Sequence, residues 1–188
     1  MVFLSRRLRA VAAAAVIGTA LLIATSAQGS LPHEDAVKAA FLYNFTKFVD
    51  WPEGAFAGSG APFNVCVYAD DGFQRELRSI LSNEQVRGRR ITITPLKNGD
   101  DLRTCHLVYF GPQHLDRSAR RLPTLKQAPV LTVGEGRRFL EQGGLIAFLL
   151  EDNRVRFDIS KRAADAAGLI VSSKLLRVAR QIDGSSLP

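Results

Sequence analysis

The chain has 188 residues, 46% of them hydrophobic and 23% charged, the balance of one ordinary globular domain that can bury a core without metals or a dense disulfide framework. The net charge of +7 falls to +4 once Arg6, Arg7 and Arg9 are set aside with the leader described next. The remaining basic residues are scattered among acids, which excludes the clustered electrostatic footprint of a nucleic-acid binder.

Residues 1–27 have the layout of a secretory signal. Arg6, Arg7 and Arg9 form a basic start, Ala10 to Ala24 follow without a charge, and Thr25 and Ala27 close the segment with small residues at the positions a signal peptidase reads. A membrane anchor is the alternative, but this alanine-rich stretch falls short of the roughly 20 strongly apolar residues of a stable span. The expected product is an exported domain over residues 28–188, located in the periplasm.

A first helix is expected over His33–Val49, apolar around most of its circumference and therefore largely buried. Trp51-Pro52 ends it, because proline disfavours helix at the residue before it. Glu53–Pro62 reads as a loop. An alternating pattern follows: strand Phe63–Ala69, helix Gly72–Leu81, strand Arg90–Leu96, strand Leu107–Phe110, a short helix Asp116–Leu122 capped by Asp116, strand Val130–Val133, and helix Arg137–Gln142 stopped by Gly143-Gly144. Leu145–Leu150 and Arg154–Ile159 form a hairpin around Asp152-Asn153. One last helix is expected from Ser160 to about Ile182, weakened at Gly168, before a frayed tail at Ser185–Pro188. Strands separated by short helices predict an α/β fold: a single three-layer domain, a mostly parallel sheet with helices on both faces, and a C-terminal hairpin plus helix.

Cys66 and Cys105 are the only cysteines. In an oxidising compartment such a pair favours a structural disulfide, and neighbouring strands about 4.8 Å apart would suit its geometry. Zinc held with the help of His106 is the rival, weakened by the lack of a paired cysteine spacing. Redox catalysis would call for Cys-x-x-Cys, which is absent. No metal site and no cofactor are expected.

The run Phe41-Leu42-Tyr43-Asn44-Phe45-Thr46-Lys47-Phe48-Val49-Asp50-Trp51-Pro52 resembles the opening motif of the YfiR/HmsC family of bacterial periplasmic proteins. Val155–Ile159 resembles that family's late strand, and Gly168–Ala179, with Ser173, Leu175 and Leu176, looks like its C-terminal signature. The resemblance implies a periplasmic repressor of an inner-membrane diguanylate cyclase, bound through the cyclase's periplasmic sensor domain and lowering cyclic di-GMP and biofilm formation. It also brings in an outer-membrane lipoprotein as a candidate partner, and a homodimer is a further candidate. Some members carry a second cysteine pair that this chain lacks, so a redox role for a second bridge does not transfer.

Leu169, Ile170 and Val171 are candidate partner-binding residues, with the core face of the last helix as the plainer reading. The aromatics of Phe41–Trp51 likewise read as core before interface. A second functional class is a small-molecule sensor. In open parallel sheets ligands sit at the carboxyl ends of strands, which here present Asp70, Asp71, Gly111, His114, Gly134 and Glu135. Ordinary strand-to-helix turns explain the same residues. Enzyme signatures are missing: there is no Gly-x-Ser-x-Gly elbow, no phosphate loop and no complete dinucleotide fingerprint. His106, beside a strand, reads as a satisfied structural histidine rather than a base.

Overall fold

The computed structural model describes residues 32–183, with side chains from residue 34. The expected signal segment and the frayed tail lie outside the described residues. In chain order the elements are α1 (Pro32–Phe48), β1 (Val49–Asp50), β2 (Phe63–Tyr68), α2 (Asp71–Leu81), β3 (Gln85–Val86), β4 (Arg89–Pro95), β5 (Leu107–Phe110), α3 (Leu115–Arg121), β6 (Leu131–Glu135), α4 (Arg137–Glu141), β7 (Ile146–Glu151), β8 (Arg154–Ser160), α5 (Lys161–Ala166), β9 (Ile170–Val171), α6 (Ser173–Val178) and β10 (Gln181–Asp183).

Eight strands form one sheet in the order β10-β8-β7-β6-β5-β2-β4-β3. The run from β4 through β7 is parallel, β8 is antiparallel to β7, β10 is parallel to β8, and β3 is antiparallel to β4. Alternation sorts the side chains onto two faces. Val65, Val67, Leu107, Tyr109, Leu131, Val133, Ile146, Phe148, Phe157 and Ile159 build one core with α1 and α2. Cys66, Tyr68, Val108, Phe110 and Ala147 build the other with Leu122, Leu125 and Phe139. The result is the expected three-layer α/β arrangement.

The hairpin turn is the expected one. Asp152 and Asn153 both have positive φ, 48° and 58°, as a two-residue turn matched to strand twist requires. A second hairpin of the same kind, β3–β4 around Arg87-Gly88 (φ 53° and 77°), was not foreseen. Asp116 is not a cap: α3 begins one residue earlier, after His114, and Asp116 sits in its first turn.

The expected final helix is not one helix. Gly168 (φ +70°) adopts the left-handed conformation that ends α5: its N–H reaches the Asp165 carbonyl at 3.0 Å, and the Leu169 N–H reaches Ala164 at 3.0 Å. The chain then runs as β9. Ser172 caps α6 by accepting from the Lys174 N–H, and β10 joins the sheet edge. β9 pairs antiparallel with β1, setting Val49 against Val171 and Asp50 against Ile170. This ladder also stops α1 at Phe48, ahead of Trp51-Pro52.

Candidate functional site

The β1–β9 ladder brings the two motif segments together although they are far apart in sequence. Most motif side chains are packed. Phe45 is fully buried, stacks on Phe148 at 5.7 Å and meets Phe157 edge-on at 5.0 Å. Phe41 meets Phe157 at 5.3 Å, and Phe48 packs partly buried against the same core. Trp51 sets its ring edge-on to Phe63 at 4.9 Å and donates from Nε1 to the His106 carbonyl. The Tyr43 hydroxyl donates to Glu84, and Lys47 lies over the Tyr43 ring at 3.7 Å. Asn44, Pro52 and Ser173 are exposed; Leu175 is buried and Leu176 partly so. At the junction itself the side chains divide sharply: Leu169 and Val171 are 1% and 7% exposed, but Ile170 is 67% exposed, beside Asp50 and its ion-pair partner Arg87.

The carboxyl ends of the parallel strands are largely filled by the protein itself. Asp70 caps α2 by accepting from the Phe73 N–H at 2.9 Å, while Asp71 is exposed in that helix's first turn. At the switch between β2 and β5 the Gly111 N–H bonds the Tyr68 carbonyl at 2.7 Å, and a Cβ on Gly111 would stand 3.1 Å from that oxygen. The His114 ring sits 5.9 Å from Tyr68. Gly134 makes room for Phe139, whose ring would lie 2.4 Å from an added Cβ. The close approach these glycines allow is therefore to the protein's own backbone and rings.

Glu135 joins a half-buried polar cluster. It accepts from the Tyr109 hydroxyl at 2.5 Å and from Lys38 at 2.9 Å, and Lys38 also reaches Glu34 at 2.6 Å. Burial opposes the charge on Lys38, but Glu135 and Glu34 outweigh it and hold the ammonium above its ordinary pKa. Burial raises the Glu135 carboxyl against the pull of Lys38 and Tyr109, and raises the Tyr109 phenol further still, with Glu135 adding to the effect. This cluster ties α1 to the strand ends. The signal for it in sequence was Glu135 alone; Lys38 and Tyr109 were not singled out.

His106 has both ring nitrogens engaged. Nδ1 accepts from the Asn64 N–H at 2.9 Å, which leaves the proton on Nε2, facing the Ala55 carbonyl at 3.0 Å. The ring contacts both Phe56, at 4.4 Å, and Phe63, at 5.0 Å. It is spent on holding the 53–62 loop. Cys66 and Cys105 form a disulfide with Cα atoms 5.9 Å apart, joining β2 to the segment that enters its neighbour β5. Among the described residues no group of three or more His, Cys, Asp or Glu could hold a metal ion.

The packed aromatic motif, the β1–β9 junction and the single bridge lie within a stretch, residues 35–180, that matches the model of the YfiR/HmsC-like family. The chain belongs to that family. No curated protein matches it. Two solved structures at 8–10% identity are similar to it in fold. A conserved domain protein from Vibrio cholerae O1 biovar eltor aligns with a TM-score of 0.54 at 10% identity, over 79% of this chain and 60% of that one. An ABC domain from Streptococcus pneumoniae, solved in complex with L-Trp, aligns at 0.53 and 8% identity over the same shares. This chain thus spans about 60% of the length of those structures, and the likeness is one of fold.

Proposed function

We propose that this protein is a periplasmic regulatory binding protein that restrains an inner-membrane diguanylate cyclase by holding the cyclase's periplasmic sensor domain in its inactive state. The observation that carries the reading is the match to the YfiR/HmsC-like family over residues 35–180. The packing supports a binding role: Asp70, His114 and Glu135 at the strand ends are engaged in a cap, a ring contact and an ion pair within the protein. Ile170, held outward by the β1–β9 ladder, offers an apolar contact on a rigid support.

The mechanism is differential binding. A regulator shifts its target only by the difference between its affinities for the inactive and active states. A tenfold preference needs about 1.4 kcal/mol, within reach of a modest interface. The test is capture from solubilised inner membrane with the exported chain as bait. The expected result is recovery of a cyclase with a periplasmic sensor domain, and a rise in cellular cyclic di-GMP on deletion. Unchanged cyclic di-GMP after deletion, with no cyclase recovered, overturns the reading.

A further inference from the structure

The sheet keeps one stretch of open edge. β10 covers β8 only at Asp158, Ile159 and Ser160, so the earlier half of β8 has no strand beyond it among the described residues. Two hydrogen bonds fix which backbone groups face outward. The Arg180 N–H bonds the Phe157 carbonyl at 2.9 Å on the β10 side, and the Phe148 carbonyl accepts from Gly136 on the β6 side. Phe148–Phe157 and, two residues on, Leu150–Val155 are therefore pairs whose backbone groups turn away from each other. Val155 presents both an N–H and a carbonyl to the open edge.

A groove of about 300 Å³ lies there, between Val37 and Phe41 of α1 and Leu150, Arg154, Val155 and Arg156 of the hairpin. Successive side chains of a strand point to opposite faces, so three consecutive residues line one groove only when it follows the strand's edge. Leu150 is 56% exposed beside it. Arg154 and Arg156 are exposed and have no ion-pair partner among the described residues. Glu34, at one end, is held by Lys38.

We propose that this edge accepts an extended segment of a partner protein as an added strand, in which an apolar residue is flanked on both sides by acidic ones. The register dictates that pattern. A residue laid opposite Val155 shares its face and enters the groove over Val37 and Phe41, while its two neighbours fall on the face of Arg154 and Arg156. A second copy of the chain fits poorly, because antiparallel pairing through this edge sets Arg154 against Arg156 of the other copy, like charges directly opposed. The proposal deepens the regulatory reading and rests on the protein acting through a partner.

The test uses the purified, disulfide-bonded chain 28–188 and two capped synthetic peptides, one alternating glutamate with valine and one alternating lysine with valine. The glutamate peptide is expected to bind at least tenfold more tightly, with the gap narrowing in high salt. Arg154→Glu combined with Arg156→Glu, both on exposed positions, is expected to reverse the order with the melting temperature retained. Peptide binding should also slow exchange of the Val155 amide proton, a readout that needs no substitution in the hairpin. Equal binding of the two peptides, no binding of either, or an unchanged order in the charge-reversed protein overturns the proposal. Recovery of a cyclase without glutamate selectivity defeats the edge and leaves the regulatory reading standing. Selectivity without recovery of a cyclase does the opposite.

Discussion

His106 is neutral by construction. The Asn64 N–H points at Nδ1, so a second ring proton would face a donor and break the hydrogen bond that holds β2 to the segment before β5. Burial, with the Arg89 charge nearby, lowers its pKa against the favourable bond to the Ala55 carbonyl. The unfolded chain takes up its proton near a pKa of about 6.5, above the folded value. Stability from this residue is therefore fully present above about pH 6.5 and is lost as pH falls from there through the lowered folded value. His106→Gln should cost about 1–3 kcal/mol at pH 7.5 through unsatisfied groups. Denaturant melts of both proteins from pH 7.5 to 5 are expected to converge at the acid end. Comparing the two isolates His106 from His114 and Glu135, whose pKa values are also displaced. Parallel curves across the range would show that folding leaves the His106 pKa at its unfolded value.

Between elements, the bridge is the one covalent tie. Cys66 sits on the α3–α4 face of β2, and Cys105 immediately precedes the entry to β5, at a sequence separation of 39. The chain-entropy estimate for such a loop is about 4 kcal/mol. Cys66→Ser should therefore lower the urea midpoint by a large share of a typical stability of about 5–15 kcal/mol, and a melt matching the parent protein would remove the bridge from the account. This pairing was legible because Cys66 lies inside one strand-like run and Cys105 just before another, in a chain with no other cysteine. The hairpin was legible for a similar local reason, Asp152-Asn153 between alternating runs. The break-up of the last expected helix was not. Ala163–Ala167 and Lys174–Val178 both have helical composition, and only Gly168 hinted at the break; what converts Ile170-Val171 into a strand is Val49-Asp50, a partner more than a hundred residues away. The second hairpin was missed because Arg87, a residue with no preference for positive φ, takes the first turn position.

On the scale of the whole molecule, the β1–β9 junction ties the last part of the described fold to its first helix and separates buried from exposed side chains within three residues. The Ser172 N–H bonds the Phe48 carbonyl at 2.9 Å, so α1 and α6 are tied across the same ladder. Leu169 and Val171 enter the core while Ile170 faces outward, because successive strand residues point to opposite sides. Sequence reasoning could place all three in one candidate surface, but only the strand geometry tells them apart. Leu169→Ala removes a buried side chain and should cost about 2–5 kcal/mol. It is expected to lower the melting temperature and to reduce capture of the cyclase only in proportion to the folded fraction. Ile170→Glu changes an exposed position and, with Asp50 opposite it in the ladder, should cost no more than about 1 kcal/mol. If the junction is where the sensor domain docks, that folded variant fails to recover the cyclase and raises cyclic di-GMP as deletion does. Full recovery by a stable Ile170→Glu protein would place the contact elsewhere on the molecule.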